Sequence, residues 1–264
     1  MFQKLRKSKK LVLIAMACAT FAIAGCGSDT TKSIADNGKS VTWSETFDGT
    51  KTDFAVKSSP THAVSMSQAT TEMMLQLGLE DKMAGTAFKE EEIYPPLQAA
   101  YDKVKVLSDK WPSYEVFMSV KPDFATGWPD SFSKRAIPAD KMIAQKVNIW
   151  LPESMLSTKA DLETNFNDMI KLGEIFGVKS KAEEWVAGQR KTLEAIQTKL
   201  KDLPRKRVFI YDSEDGQPFT AFEGYTTNIL KLIGADNVMS GLGVDKTWAK
   251  GSWETVITQN PDYI

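Results

Sequence analysis

Histidine and cysteine are scarce in this chain of 264 residues. His62 is the only histidine, and Cys18 and Cys26 are the only cysteines. Proteins that hold bare zinc or manganese need several histidine, cysteine or carboxylate ligands close together. We therefore interpret His62, which starts an expected strand, as structural, and we expect neither a metal site nor a resident cofactor.

Signatures of catalysis are missing as well. The sequence has no glycine-rich phosphate loop and no nucleophile elbow, and a Ser-His-Asp arrangement would have to use His62. We therefore expect a binding protein and not an enzyme. Two other classes stay open at this point, a lipid-anchored surface hydrolase and a metal chaperone or adhesin. The missing catalytic groups count against the first, and the single histidine counts against the second.

Long apolar runs are confined to the N-terminus. Residues 11–24 form an apolar stretch of 14 residues, shorter than the roughly 20 residues that cross a bilayer. This stretch follows a basic segment and ends in small residues, which is typical of a signal peptide over residues 1–25. Residues 23–26, Ile-Ala-Gly-Cys, resemble the lipobox of bacterial lipoproteins. An ordinary signal with an incidental cysteine is the alternative.

The lipobox implies that Cys26 carries a lipid anchor and that Cys18 is removed with the signal. The mature chain then has no other cysteine and no disulfide framework. Residues 26–40 are polar and predict a flexible tether. Taking the five basic residues of the signal from the 33 Lys and Arg leaves 28 against 34 Asp and Glu, a net charge of −6. This charge argues against nucleic acid as a partner.

Residues 41–155 predict an α/β lobe. Residues 41–56 predict a hairpin around the turn Asp48-Gly49. Short strand and helix patterns then alternate, which indicates a parallel sheet with helices on both faces. The expected strands lie near residues 62–66, 83–86, 104–107, 124–126 and 147–151, and the expected helices span residues 70–77, 112–120 and 131–145.

A helical segment and a second lobe follow. Residues 156–203 carry two helical apolar faces with no strand between them. Residues 204–264 return to an α/β pattern, with strands expected at 207–211 and 218–222 and helices at 226–233 and 253–258. Because residues 262–264 read as the start of a strand, we expect the second lobe to be truncated. The sequence thus predicts an α/β protein of two Rossmann-like lobes joined by a helical spine.

Four motifs in this order resemble those of a known family. The first is Val-Ser-Met-Ser-Gln-Ala-Thr-Thr-Glu at residues 64–72, followed by Leu-Gln-Leu-Gly. The others are Pro-Ser-Tyr-Glu with Lys-Pro-Asp, Gly-Ala-Asp-Asn-Val at 234–238, and Ser-Trp-Glu with Asn-Pro-Asp. Together they resemble the ABC importer binding proteins for cobalamin, ferric siderophores and haem, over about residues 41–264. Ala235 replaces the second glycine of the family's motif.

The resemblance implies a monomeric lipoprotein that works with ABC permease subunits. It implies a place on the extracytoplasmic face of the cell membrane, extracellular in a monoderm and periplasmic in a diderm. The cargo is expected to be a chelated metal, a ferric siderophore first, with a corrinoid or haem as the alternative. Capture between the lobes, limited bending of the spine and delivery to the permease follow as the mechanism.

The resemblance also implies site residues. In the family, a glutamate at the position of Glu72 docks onto a permease arginine, and Glu223 is the candidate for a matching acid on the second lobe. Aromatic residues in loops beyond strand ends often line ligand clefts, and basic residues attract anionic chelates. The candidate ligand-binding residues are therefore Trp111, Trp128, Arg135, Tyr211, Tyr225, Trp248 and Lys250.

Substituting Cys26 tests the anchor. Cys26→Ala removes the thiol that the lipid would modify, so we expect loss of lipid labelling and either release of the body or retention of the signal. Metabolic labelling with a fatty acid, followed by immunoprecipitation, measures this outcome, and Cys18→Ala is the matched control. Undiminished labelling of the Cys26→Ala chain would refute the lipobox assignment.

Overall fold

An antiparallel hairpin opens the part of the chain that the computed structural model describes, residues 40–264. Strand β1 (Val41–Phe47) pairs with β2 (Thr50–Val56). Asp48 and Gly49 both have positive φ angles, 47° and 79°, as a two-residue turn of this kind requires. The hairpin prediction is confirmed. The predicted signal peptide and Cys26 lie outside the described residues.

The first lobe is built on a parallel sheet of five strands. Its elements are β3 (Ala63–Ser65), α1 (Gln68–Gln76), β4 (Met83–Ala87), α2 (Gln98–Tyr101), β5 (Val106–Ser108), α3 (Tyr114–Ser119), β6 (Phe124–Thr126), α4 (Ala139–Ala144) and β7 (Asn148–Trp150). The strand order is β5-β4-β3-β6-β7. The order therefore reverses between β3 and β6, and ligands of open α/β sheets bind beyond the carboxyl ends of strands at such a point.

The helix expected over residues 131–145 is only partly present. A single 3₁₀ turn covers Pro129–Phe132, and α4 begins after Pro138. Proline lacks an N–H and disfavours helical geometry in the residue before it, so the helix cannot run through this position. Phe132 and Ile137 are nevertheless buried in the core, which explains the apolar pattern that suggested a helix.

Two helices and a second set of strands complete the described chain. These elements are α5 (Leu162–Ile175), α6 (Lys179–Leu200), β8 (Lys206–Val208), β9 (Ser213–Glu214), β10 (Pro218–Ala221), α7 (Tyr225–Leu232), β11 (Ala235–Asn237), β12 (Trp248–Lys250) and α8 (Trp253–Gln259). Strands β8 and β11 are parallel, whereas β10 pairs antiparallel with β9 and β12. The strand expected at residues 262–264 appears as one bridge between Val208 and Tyr263. No helix within residues 40–264 is long and apolar enough to span a membrane.

The two long helices differ in how they are packed. The apolar face of α5 is buried against the first lobe, and α6 joins the same core only through Ala182 and Val186, with Trp185 packed beside them. Gly173 of α5 allows the close approach, since a Cβ there would lie 2.7 Å from the Cβ of Ala182. The C-terminal half of α6 is largely exposed. The N-terminal part of the predicted spine, α5 and the start of α6, is thus packed into the core of the first lobe.

A buried asparagine organises the second lobe. The side-chain amide of Asn237, at the end of β11, donates to the carbonyl of Ala221 at 2.8 Å and to the hydroxyl of Thr227 at 2.6 Å. These bonds join β11, β10 and α7. Asn237 is the asparagine of the third motif noted in the sequence, so that motif has a structural role here. The adjoining core contains Phe209, Phe222, Val238, Met239 and Val256.

The hairpin is attached to the end of β7 by two polar contacts. The indole N–H of Trp43 donates to the carbonyl of Ile149 at 2.8 Å. The amide of Leu151 donates to the carboxylate of Glu45 at 3.0 Å. Glu45 is only 8% exposed, and this burial raises the pKa of its carboxyl from 4.5 to about 7, although the Leu151 bond acts in the opposite direction.

The raised pKa of Glu45 predicts a pH-dependent stability. The folded chain keeps this proton up to about pH 7, whereas the unfolded chain loses it near pH 4.5, so the free energy of unfolding should fall as the pH rises between these values. Glu45→Gln keeps an acceptor for Leu151 but cannot ionise. We expect the variant to match wild type at pH 4.5 and to be about 3 kcal/mol more stable at pH 8.

Urea denaturation at several pH values measures this difference. The exposed Glu91→Gln removes one carboxylate without touching a buried site, and it serves as the control. A Glu45→Gln variant whose stability followed the wild-type pH profile would contradict the assignment.

Candidate functional site

A cavity of about 300 Å³ lies where the two lobes meet. The first lobe contributes helix α1 and the loop after β6, and α5 and the segment before it form one side. The second lobe contributes the loop before α7 and one end of β12. The lining residues are Ala69, Met73, Trp128, Ser154, Met155, Asn165, Glu223, Tyr225, Thr226, Thr247 and Trp248.

Trp128 stands at the point where the strand order of the first sheet reverses. It follows β6 by two residues and precedes the 3₁₀ turn Pro129–Phe132. Its indole N–H donates to the carboxylate of Glu90 at 3.2 Å. The buried hydroxyl of Ser131 donates to the carbonyl of Met66 and so ties this turn to the end of β3. The sheet therefore fixes where the ring meets the cavity.

Trp248 and Tyr225 form the aromatic part of the opposite wall. Trp248 pairs with Ala221 across β12 and β10, and its ring stacks on Phe219 with centroids 6.1 Å apart. Tyr225 is the first residue of α7. Burial, with a smaller contribution from the nearby Asp168, raises the pKa of its hydroxyl, so the group stays a neutral donor.

Glu223 is the charged side chain of this wall. Its carboxylate accepts from the amide of Gly241 at 2.8 Å and from the hydroxyl of Ser240 at 3.1 and 3.2 Å. No ion pair among the described residues includes Glu223. The carboxylate is thus held at the cavity wall by uncharged donors, while the backbone amide of Glu223 donates to the carbonyl of Lys246 at 3.1 Å.

A buried carboxylate positions the segment between β7 and α5. Asp168 of α5 accepts from the backbone amides of Glu153 and Ser154, both at 2.9 Å. Burial raises the pKa of Asp168, and the hydrogen bonds from Ser154 and Glu153 oppose this effect. Because Ser154 and Met155 line the cavity, Asp168 acts on the cavity by holding their backbone.

The second lobe contacts the segment before α5 beside the cavity. The amide of Asn228 on α7 donates to the carbonyl of Ala160 at 2.8 Å. Gly224 has a φ of 84°, and a Cβ there would lie 3.1 Å from the carbonyl oxygen of Ser157 and 2.8 Å from Thr247. Only glycine fits both this backbone geometry and this close approach.

Glu72 lies beside a second, more open cavity of about 640 Å³, which shares Ala69, Met73 and Asn165 with the first. Its carboxylate accepts from the side chain of Gln68 at 2.9 Å and from the amide of Tyr94 at 3.1 Å. Helix α1 begins at Gln68, two residues earlier than the sequence predicted. Glu72 is therefore in the second turn and not at the start of the helix.

The structure brings together some of the predicted residues and not others. Trp128, Tyr225 and Trp248 line the cavity, and so does Glu223, which the sequence suggested for docking. The remaining four do not line it. Trp111 stacks on Phe88, Tyr211 stacks on Trp253, Arg135 pairs with Asp130, and Lys250 pairs with Asp215.

Sequence reasoning did not identify several lining residues. Ala69 and Met73 are one helical turn apart on α1, and this spacing indicates a shared face, although it cannot distinguish a core face from a cleft face. Asn165 is one of several polar residues of α5, so its residue type alone gave no signal. Met155 lies in a single 3₁₀ turn, Glu153–Met155, which is too short to show a periodic pattern. Within residues 40–264, no three His, Cys, Asp or Glu side chains are grouped to hold a metal ion.

A family model and a solved structure are both similar to this chain. A family model described as periplasmic binding protein matches residues 64–264. The crystal structure of a periplasmic binding protein from Veillonella parvula is 95% identical, with a TM-score of 0.84 over 86% of this chain and 77% of that chain.

Two curated relatives are more distant. An uncharacterized ABC transporter substrate-binding lipoprotein of Bacillus subtilis is 26% identical over 268 residues, which cover 98% of this chain and 80% of that protein. A vitamin B12-binding protein of Vibrio vulnificus is 24% identical over 200 residues, which cover 75% of this chain and 68% of that protein.

Proposed function

Because the chain belongs to the periplasmic binding protein family and is the substrate-binding component of an ABC transporter, we propose that it captures a metal that is already held in an organic chelate. The homologues are binding proteins and not enzymes. Permease subunits are the partners with which such components work. A ferric siderophore is the chelate that we propose first.

The make-up of the cavity wall supports a bulky chelate over a bare ion. Trp128 reaches the cavity from the first lobe, and Trp248 and Tyr225 reach it from the second. Aromatic rings on two facing walls offer large contact area to the organic shell of a chelate. Met73 and Met155 add adaptable apolar surface between them. The described part of the chain has no group of side chains that could coordinate a bare ion directly.

The size of the cavity favours a siderophore. A volume of about 300 Å³ is at the lower end of ligand pockets. A ferric siderophore wraps one ion in a compact shell, whereas a corrinoid is a much larger molecule. The corrinoid remains the second candidate, because one relative is named a vitamin B12-binding protein. A corrinoid would need the neighbouring cavity beside Glu72 as well.

We also propose how the protein is presented to its permease. Cys26 would anchor the chain on the extracytoplasmic face as a monomer, and the Bacillus subtilis relative is itself named a lipoprotein. Glu72 would dock onto a permease arginine, since its carboxylate is partly exposed on the first lobe. Glu223 would contribute the second acid, although its place in the cavity wall favours a role with the ligand.

Titration with a chelate tests the proposal. We expect ferric siderophores to quench tryptophan fluorescence saturably, with a Kd of about 1 μM or tighter, because two indoles meet the ligand. Trp128→Ala should weaken binding by about 1–3 kcal/mol, as expected for a buried aromatic contact. Cyanocobalamin and haem belong in the same titration. Saturable binding of free Fe³⁺, Zn²⁺ or Mn²⁺ without any chelate binding would overturn the proposal.

Two controls separate contact from packing. Trp111 stacks on Phe88 away from the cavity lining, so Trp111→Phe should keep the affinity of the wild type. A Trp128→Ala variant with unchanged affinity and a lowered melting temperature would show that the ring serves packing only.

Docking is tested by a separate variant. Glu72→Gln retains acceptors for Gln68 and Tyr94 but removes the charge. We expect unchanged ligand affinity and reduced uptake, with a loss on the order of 1 kcal/mol for one pair at the rim of an interface. Uptake in a strain that lacks the chromosomal copy measures this, with Glu91→Gln as the control. Wild-type uptake would remove Glu72 from the interface, and a lower ligand affinity would place it in the ligand site.

A further inference from the structure

The cavity wall carries negative charge and, among its described residues, no positive charge. Glu223 is the charged residue of the lining, and none of the other described lining residues is lysine, arginine or histidine. The two basic residues that the sequence suggested for an anionic ligand are engaged elsewhere. Arg135 pairs with Asp130, and Lys250 pairs with Asp215, both at exposed positions. The described wall therefore offers no cation to an anionic ligand.

The carboxylate of Glu223 is held in place without being neutralised. The amide of Gly241 and the hydroxyl of Ser240 hold its two oxygens. Both donors are uncharged, so they orient the group without forming an ion pair. Glu223 is partly buried, and a charge in a partly desolvated cleft acts more strongly on a bound ligand than a charge on the open surface.

A second carboxylate, that of the exposed Glu90, is bonded to a lining residue of the first lobe. Glu90 accepts from the indole N–H of Trp128 at 3.2 Å, and its own backbone amide donates to the side chain of Gln68 at 2.9 Å. The loop that carries Glu90 is thus tied to α1, and the carboxylate is tied to a lining tryptophan. None of the ion pairs within residues 40–264 includes Glu90. The first lobe therefore places one carboxylate on a cavity tryptophan, and the second lobe places the carboxylate of Glu223 in the lining.

We propose that this cleft selects chelates that have no net negative charge, and that Glu223 is a residue that determines this specificity. The inference rests on the proposed function and deepens it. Neutral and cationic chelates, such as ferric trihydroxamates, can pack against the apolar rings without being repelled by the carboxylates of Glu223 and Glu90. Ferric tris-catecholates and the dicarboxylate of haem bring anionic groups toward carboxylates that have no cation between them, so the cleft disfavours them.

The test compares three ferric chelates that differ in charge. Ferrioxamine B is a cation, ferrichrome is neutral and ferric enterobactin is a trianion. Tryptophan fluorescence titrations of the full chain at 50 mM salt should give Kd values that increase in this order, with at least a ten-fold gap between the cation and the trianion. The gap should narrow at 500 mM salt, because salt screens the contribution of the carboxylates.

Glu223→Gln identifies the residue responsible. Glutamine keeps an acceptor for Gly241 and Ser240 and removes the charge. We expect the ratio of the enterobactin Kd to the ferrioxamine Kd to fall at least five-fold. Glu254→Gln on α8 removes an exposed carboxylate outside the cavity lining, and it should leave this ratio unchanged. Equal melting temperatures of the variants and wild type confirm that all of them fold.

The outcomes separate this inference from the proposed function. Tight binding of ferric enterobactin by wild type, or an unchanged ratio in Glu223→Gln, overturns the charge selection while chelate binding stands. If none of the three chelates, cyanocobalamin or haem binds saturably, the proposed function itself fails, and the charge selection fails with it.

Discussion

The backbone of Glu153 and Ser154 is fixed by one buried carboxylate, Asp168, and the arrangement of the site depends on this contact. The carboxylate accepts two backbone amides from the segment that leaves β7. A buried carboxylate is costly unless it is hydrogen-bonded, so these bonds and the burial of Asp168 require each other. They join α5 to the end of the first sheet and present Ser154 and Met155 to the cavity.

Glu45 holds the same segment from its other side, through the amide of Leu151. The stretch from Leu151 to Ser154 is therefore bound by two carboxylates, one from the hairpin and one from α5. Burial raises the pKa of Glu45, and the nearby Asp168 adds a smaller contribution in the same direction. The short segment that leads from β7 into the 3₁₀ turn Glu153–Met155 is thus held in place by side chains that are remote in sequence.

The strands of the first lobe and most of its helices could be predicted because they follow local rules, whereas the four-residue helix α2 was missed. Asp48-Gly49 set the hairpin turn, and the apolar strands alternated with helices. The 3₁₀ turn at Pro129–Phe132 was missed because buried side chains such as Phe132 give the same apolar signal in a helix and in an irregular segment. Strands β9, β11 and β12 are two or three residues long, too short to show an alternating pattern.

The site was less predictable than the fold, for a physical reason. Loop tryptophans are marked by composition, but whether a ring meets the cleft depends on a partner that is distant in sequence. Trp111 stacks on Phe88, away from the cavity. The indole N–H of Trp128 donates to Glu90, and Trp128 lines the cavity. The roles of charged residues are hard to predict for the same reason, because their ion-pair partners are not evident from the sequence. Arg135 and Lys250 were plausible ligand contacts until the structure showed a carboxylate beside each one.

The packing of the helices bears on how the cleft can change its width. Helix α5 and the start of α6 share the core of the first lobe through Ala182 and Val186, so this part moves with that lobe. The remaining half of α6 is largely exposed and has few packing constraints. On the other side of the cavity, Gly224 lies against Ser157, and Asn228 is bonded to Ala160. Closure is therefore restricted on the cavity side by these contacts. Bending is least opposed in the exposed half of α6, which is consistent with a small movement of one lobe about a stiff spine.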